Sequence, residues 1–170
     1  MKNEPRSHDN TIDSRDFQAR IEELEEERDD LENAVVYADD ELEEADSLDN
    51  TDDVEAAMDA VLIACKARDE WKASPEAEEL KTLTDFKAEV EGYCDWDSGE
   101  QFINESYFQA YTQELASDAV ADLFKFAREW RARAEEWPLN CIDWRLAAEE
   151  LKQDYSSAEF GTTTFYYRSN

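Results

Sequence analysis

Glycine and proline are scarce in this chain, with three of each among 170 residues. Both interrupt helices, and their scarcity leaves long stretches rich in Ala, Glu, Leu, Lys and Arg, which are typical of a mostly helical protein. Histidine occurs once, as His8, in a polar segment without periodicity, and a glycine-rich phosphate loop is missing. The sequence therefore offers neither a histidine-based catalytic site nor a phosphate-binding loop.

Cysteine is also sparse, and the three residues Cys65, Cys94 and Cys141 are far apart. This spacing suits neither a disulfide framework nor a metal site, and Cys65 lies on an apolar helix face where a small buried side chain is expected. The N-terminus lacks the apolar core of a signal peptide, and apolar runs stay well below the ~20 residues that cross a bilayer. We expect a cytoplasmic protein with reduced thiols and no membrane partner.

Basic residues are few: 17 Lys and Arg stand against 46 Asp and Glu, a net charge of −29. Small soluble domains carry a net charge of about 2 to 8 in magnitude. Two carboxylates about 6 Å apart repel by ~0.7 kcal/mol in water, so this many acids destabilise the folded state. A polyanionic surface repels nucleic acid and anionic membranes, which leaves basic proteins or cations as partners.

An enzyme is not expected, and we predict no catalytic, cofactor-binding or metal-binding residue. Carboxylate pairs can be drawn almost anywhere among 46 acids and so carry no information about acid–base catalysis. Oxygen-bearing residues gather around Gly99, namely Asp95, Asp97, Ser98 and Glu100. The glycine there stands where a calcium-binding loop needs a ligand, so a dedicated calcium site is not predicted.

The longest periodic stretch begins near Asp13, which together with Ser14 is a candidate helix cap, and runs to about Asp46. Its apolar positions alternate spacings of four and three, and one cation interrupts them: Phe17, Ile21, Leu24, Arg28, Leu31, Val35, Ala38, Leu42 and Ala45. This spacing predicts a long helix with one narrow seam of the coiled-coil type. Such a helix presents the rest of its surface to solvent or to a partner.

Acids dominate the remaining positions of that helix, with 19 acidic and five basic residues among the first fifty. We take twelve of them as candidate phosphate-mimicking, partner-binding residues: Glu22, Glu23, Glu25, Glu26, Asp29, Asp30, Glu32, Asp39, Asp40, Glu43, Glu44 and Asp46. Carboxylates at i and i+4 on a helix lie about 6 Å apart, close to the ~7 Å between phosphates along one DNA strand. A net charge of −29 equals that of about 15 base pairs of duplex.

Three regions are expected: a disordered tail over residues 1–13, an acidic helical region over 14–92 and an aromatic-rich body over 93–170. A second helix should fold back on the first, because the polar break from Ser47 to Asp53 is short. Its predicted inner face holds Val54, Ala57, Met58, Val61, Leu62 and Cys65. A third helix should begin at Ser74-Pro75 and end with Gly92 as a left-handed cap.

The body has fewer acids, with 12 against seven bases over residues 101–170. Helical spacing continues from Tyr107 through residues 120–134, and Trp137-Pro138 should stop it. Asp143 is a candidate cap for another helix, and Ser157–Phe160 and Thr163–Arg168 read as a hairpin around Gly161-Thr162. The predicted fold is mostly α, an acidic coiled-coil-like arm followed by a helical body with a short β-hairpin, hence α+β.

Part of the body resembles a known family. The residues 137–144 (WPLNCIDW), 147–151 (AAEEL), Asp154-Tyr155 and the closing segment 160–168 look like the C-terminal part of acidic ArdA-type antirestriction proteins of phages and mobile elements. Residues 92–115 resemble a companion stretch in similar phage proteins. The resemblance implies a DNA mimic in a host bacterial cell that occupies the DNA-binding groove of type I restriction–modification enzymes, often as a homodimer.

Two functions from different classes follow. In the first, the acidic helix binds a basic DNA-binding surface in place of DNA and inhibits a restriction, defence or DNA-processing protein. In the second, the chain is an acidic coiled-coil adapter or assembly protein whose apolar seam binds a partner without mimicry. Sparse cations at the flanks of the seam favour the first, because coiled coils built for self-association mix Lys with Glu there.

Overall fold

A computed structural model describes residues 5–47, 51–123 and 139–169. These residues form five α-helices, α1 (Ser14–Ser47), α2 (Thr51–Lys72), α3 (Pro75–Val90), α4 (Phe108–Leu123) and α5 (Trp144–Leu151). They also form four β-strands, β1 (Thr11–Asp13), β2 (Gln101–Asn104), β3 (Ser156–Phe160) and β4 (Thr163–Tyr167). The predicted mostly helical α+β fold is confirmed.

The chain divides into two compact units. The helical unit is Gln18–Asp85, and the sheet unit combines Met1–Phe17 with Phe86–Asn170. Both boundaries fall inside helices, α1 and α3, rather than at residues 13 and 92 where composition changes.

The seam of α1 is where the sequence predicts it. Its apolar positions in the helical unit are buried or partly buried: Ile21, Leu24, Leu31, Val35, Ala38, Leu42 and Ala45. The helix spans 34 residues, about 50 Å at 1.5 Å per residue. Arg28, the cation within the seam, is also only partly exposed.

Helix α2 folds back along α1, as predicted. The Nζ atom of Lys72, at the end of α2, lies 3.5 Å from Oε1 of Glu32, in the middle of α1. Since α2 begins four residues after α1 ends, this ion pair requires the two helices to be antiparallel. Six of the less exposed positions of α2 recur at spacings of three and four: Val54, Ala57, Val61, Ala64, Arg68 and Trp71.

The predicted inner face of α2 is wrong at two positions. Met58 and Leu62 are 58% and 68% exposed, respectively, whereas Val54, Ala57, Val61 and Cys65 are buried or partly buried. The reason is geometrical, because a single partner helix covers only a narrow stripe and leaves apolar residues beside it in solvent.

Helix α3 begins as its sequence predicts, with the Ala77 amide donating to Ser74 Oγ at 3.3 Å. Its Glu79 forms a bidentate pair with Arg20 of α1 at 3.0 and 2.7 Å. The predicted left-handed cap at Gly92 is wrong, since positive φ occurs among the described glycines only at Gly99 and Gly161. Hydrogen bonds from Glu91 N to Lys87 O and from Tyr93 N to Val90 O close this end instead, so no left-handed residue is needed.

Two leucines of the α1 seam should respond differently to truncation. Leu24 is 1% exposed, whereas Leu31 is only partly buried. We expect Leu24→Ala to lower the free energy of unfolding by about 2 to 5 kcal/mol, and Leu31→Ala to cost less, because less area returns to water. Urea unfolding followed by circular dichroism measures both. Equal costs would contradict the difference in burial between the two leucines, and an unchanged stability in both variants would show that the seam is not the core of the helical unit.

The sheet unit contains one four-stranded antiparallel sheet in the order β1-β2-β4-β3. The predicted C-terminal hairpin is confirmed, with Phe160 paired to Thr163 and Gly161 in a left-handed conformation at φ 64°. Strands β1 and β2, which pair through Ile12 and Phe102, were not among the predicted elements. These two strands turn the isolated hairpin, which would be marginal alone, into a sheet.

One face of the sheet packs on an aromatic cluster centred on Phe17, at the start of α1. Its ring is fully buried, with centroids of Phe86 at 4.9 Å, Phe160 at 5.0 Å and Phe102 at 5.7 Å. Trp96 follows at 6.0 Å. These tilted and edge-on geometries are favourable for aromatic pairs, so Phe17 anchors the first turn of α1 in the core of this unit.

The opposite face of the sheet packs on α4 and α5. Ile103, Phe108 and Ala148 form its buried centre, and Tyr155 and Tyr166 lie against the Phe108 ring at 5.2 and 4.9 Å. Asp143 caps α5 as predicted, accepting a hydrogen bond from the Leu146 amide at 3.1 Å. The sheet is therefore covered on both faces by helical residues.

The N-terminal segment is not a disordered tail as far as it is described. Thr11–Asp13 form β1, and Asn104 of β2 holds the residues before it. The buried Asn104 amide donates to the carbonyl oxygens of Ser7 at 3.3 Å and Asp9 at 3.1 Å. These bonds join residues more than ninety positions apart, so no local pattern in the sequence could predict them.

The loop after α3 is fixed to the start of α1. Ser14 Oγ donates to Trp96 O at 2.6 Å and accepts from Glu100 N at 2.9 Å. Gly99 in this loop has φ +94°, and a Cβ atom there would lie 2.7 Å from Nε of Arg15. The oxygen-rich stretch from Asp95 to Glu100 is thus part of the scaffold.

Gly99→Ala should be destabilising because of the left-handed backbone at this position, while the Arg15 guanidinium, the end of a flexible side chain, would have to shift away from the added Cβ atom. We expect a loss of about 1 to 3 kcal/mol in the free energy of unfolding. Gly92→Ala is the matched control, because nothing lies within 4 Å of its added Cβ atom and its φ is not positive. Thermal and urea unfolding of the two variants should separate them, and indistinguishable stabilities would contradict this account of the loop.

Two predictions lie outside the described residues. Helix α4 is described as far as Leu123. Its expected continuation from there through residue 134 lies outside the described residues. The same holds for the expected stop at Trp137-Pro138.

Candidate partner-binding surface

The candidate acids on α1 lie where a partner could reach them. Eleven of the twelve are exposed, and Glu25 is partly exposed. The exposed ones are Glu22, Glu23, Glu26, Asp29, Asp30, Glu32, Asp39, Asp40, Glu43, Glu44 and Asp46. The seam takes the apolar positions, so the carboxylates occupy the remaining faces of the helix.

Few of these carboxylates are neutralised by the protein itself. Within the described ranges, ion pairs engage three of the twelve, namely Glu23 with Arg20, Asp29 with Arg28 and Glu32 with Lys72. Glu22 accepts a hydrogen bond from Gln18. The other candidate acids keep their charge available for a partner.

Two cations on α1, Arg20 and Arg28, are held by carboxylates of the protein: Arg20 by Glu79 of α3 and by Glu23, and Arg28 by Asp29. The hydrogen-bonded pair with Glu79 raises the pKa of Arg20 well above its usual value, despite the opposing effect of burial. The hydrogen bonds that Arg28 donates to the Asp29 carboxylate likewise raise the pKa of Arg28. Both guanidinium groups therefore stay charged, and Arg28 can occupy the seam because its own neighbour pairs with it.

The acids form two clusters whose charge density can be compared with DNA. The first, Glu22–Glu32, holds eight acids and one base over about 15 Å, or one net charge per ~2.1 Å. The second, Asp39–Asp46, holds six acids over about 10.5 Å, or one per ~1.8 Å. Duplex DNA carries one charge per ~1.7 Å of axis, so both clusters approach its density.

An apolar interval separates the two clusters. Residues 33–38 contain no charged side chain, and two residues within them, Val36 and Tyr37, are 56% and 70% exposed, respectively. Helix α2 exposes Met58, Leu62 and Ile63, each by more than half. The sequence predicts Met58 and Leu62 on the inner face of α2 and gives no signal for the exposure of Val36, Tyr37 and Ile63, because hydrophobicity alone does not show which apolar side chains a neighbour covers.

The described residues also bear on metal ligands, membrane spans and reactive thiols. No group of three or more His, Cys, Asp or Glu side chains there is arranged to hold a metal ion. None of the described helices combines the length and apolar character that a bilayer span requires. Cys94 is buried, and this burial raises the pKa of its thiol to about 11, which disfavours the nucleophilic thiolate.

Fold and surface together define an acidic α+β protein with an antiparallel helix pair that displays carboxylates. No family model matches this chain, and neither a curated protein nor a solved structure matches it. The resemblance to ArdA-type antirestriction proteins therefore rests on the residues quoted for it, and its implications are proposals.

Proposed function

We propose that this protein is a DNA mimic that inhibits a DNA-binding protein by occupying its basic surface. The target class is a restriction, defence or DNA-processing protein of a bacterial host. The observation that carries the proposal is the pair of acidic clusters on α1, which are exposed, largely unpaired and close to duplex DNA in charge per length.

The fold supports this proposal by making the array rigid. The helix has 34 residues, its seam is buried or partly buried, and ion pairs join Glu32 to Lys72 of α2 and Arg20 to Glu79 of α3, so its carboxylates keep a fixed spacing. An isolated helix with this charge would be destabilised by repulsion between acids at i and i+4. Burial of the seam offsets that repulsion, so the array persists without the partner and loses little conformational entropy on binding.

The exposed apolar residues favour a second candidate, an acidic helical adapter without mimicry. Met58 and Leu62 could contact a partner through burial of apolar surface rather than through charge. The two functions differ in their response to salt and to DNA. Binding by charge mimicry weakens as salt screens the carboxylates, whereas apolar contacts are nearly indifferent to salt.

The test is a capture experiment from bacterial lysate at low salt. The full chain is immobilised, washed and eluted first with a duplex of about 15 base pairs and then with high salt. We expect DNA-binding proteins in the duplex eluate, because duplex competes for the same basic surface. Partners that stay bound in duplex and in high salt would support the adapter and contradict mimicry.

A further inference from the structure

The ion pair of Lys72 and Glu32 marks one flank of the α1–α2 pair. Cys65 lies two helical turns before Lys72, and Leu62 and Met58 precede it at spacings of three and four. These three residues form a second stripe at helical spacing beside the buried face of α2. On α1, Val36 lies one turn beyond Glu32 and therefore belongs to the same flank.

This stripe is apolar and open to solvent. Met58 and Leu62 are more than half exposed, Cys65 is partly exposed, and Val36 is 56% exposed. In paired helices, apolar side chains spaced three and four residues apart insert between side chains of the facing helix, as in knobs-into-holes packing. The stripe is thus formed like a helix seam, and no described residue of the helical unit covers it.

Carboxylates surround the stripe. Exposed acids that form no ion pair with another described residue lie within two turns of it on both helices, among them Glu55 and Asp59 on α2 and Asp39 and Glu43 on α1. Asp69 and Glu32 also lie there, paired with Arg68 and Lys72, and acids outnumber the bordering lysines Lys66 and Lys72. A helix that enters this flank with cations beside its apolar residues gains both apolar burial and charge pairing. A helix with acidic margins is repelled.

We propose that this flank binds a basic amphipathic helix of the partner protein, as a third helix beside α1 and α2. This binding mode rests on the proposed function, because it requires a basic partner. The stripe adds an apolar contact that duplex DNA does not offer to the same partner. The protein then competes with DNA by charge and selects its target by the apolar stripe on this flank.

A second copy of this chain fits the flank poorly. Each copy carries a net charge of −29, so the acids around the stripe oppose self-association. Stable dimers bury about 800 Å² per partner. The stripe is only two helical turns long, about 10 Å, so its apolar surface is small compared with such an interface. A short basic helix from another protein needs less apolar area because charge contributes to its binding.

The test compares two synthetic peptides of 21 residues composed of Leu, Ala and Lys. One has Leu at the a and d positions of three heptads, and the other has the same composition in an order without an apolar face. We expect the intact chain to bind the patterned peptide at least tenfold more tightly at 0.05 M NaCl, by fluorescence anisotropy. The preference should persist at 0.5 M NaCl, where screening leaves mainly the apolar contact.

The double variant Met58→Gln/Leu62→Gln should lose this preference. Its matched control is Ile142→Gln/Leu146→Gln, which changes two exposed apolar residues of the sheet unit and should keep it. Both pairs are at the surface, and circular dichroism verifies that each variant is folded. Equal affinity for the two peptides in the intact chain, or an unchanged preference in the double variant, would overturn the proposal.

Two further outcomes are distinguishable. A sedimentation experiment that finds the intact chain dimeric and the double variant monomeric would assign the flank to a second copy and overturn the proposal. Elution of captured partners by duplex does not depend on these peptides. Failure of that elution with the peptide preference intact would remove the mimic function alone and leave the helix-binding flank.

Discussion

Truncation of Phe17 to Ala should lower the free energy of unfolding by about 3 to 5 kcal/mol, as expected for a fully buried aromatic ring. The ring is 0% exposed and contacts Phe86, Phe102 and Phe160 with centroid distances between 4.9 and 5.7 Å. Its removal leaves a cavity between the first turn of α1 and the sheet. Small domains are stable by about 5 to 15 kcal/mol in total, so this is a large fraction.

The matched control for Phe17→Ala is Tyr93→Ala, since Tyr93 is an aromatic residue of the same unit that is 65% exposed. Its truncation should change stability by less than about 0.5 kcal/mol. Chemical unfolding with tryptophan fluorescence and circular dichroism measures both variants. A Phe17→Ala loss below 1 kcal/mol would show that this cluster does not anchor α1.

Neutralising the second acidic cluster should have the largest effect on binding. The variant Asp39→Asn/Asp40→Asn/Glu43→Gln/Glu44→Gln removes four exposed carboxylates without an ion pair among the described residues. Exposed charge pairs contribute about 0.2 to 1 kcal/mol each, so four should weaken partner binding by about 1 to 4 kcal/mol. The loss should come mainly from slower association, because the array acts through its field.

The control for this variant neutralises four exposed acids of the sheet unit, Asp118, Glu149, Glu150 and Asp154. Both variants change the net charge from −29 by the same four charges, so a difference between them reports on the array rather than on total charge. Surface plasmon resonance with the captured partner yields association and dissociation rates. Equal effects of the two variants would mean that α1 is not the binding element.

The helices were predictable because their signals are local. The alternation of fours and threes from Ile21 to Ala45 identifies α1 and its seam. Once the seam positions are known, the acids between them are expected on the solvent-facing side of α1, because carboxylates remain in water whichever helix covers the seam. The cap at Asp143 and the turn at Gly161 are equally local.

Strands β1 and β2 and the apolar flank were not predictable in this way. Strand β1 has three residues, and its partner β2 lies about ninety residues away, with Thr11 opposite Ile103. The signal for such a strand is tertiary rather than local. Met58 and Leu62 satisfy the helical spacing of a buried face and are nevertheless exposed, because the sequence does not state how many helices surround α2.

The most direct test of DNA mimicry is the dissociation constant of this protein and its captured partner as a function of salt. Titrations at several NaCl concentrations between 0.05 and 0.3 M, each with and without a duplex of about 15 base pairs, measure how the dissociation constant responds to salt and to competing DNA. Mimicry predicts that affinity falls steeply and linearly in log Kd against log salt, and that duplex displaces the protein competitively. An affinity that is constant across this range and unaffected by duplex would contradict the account.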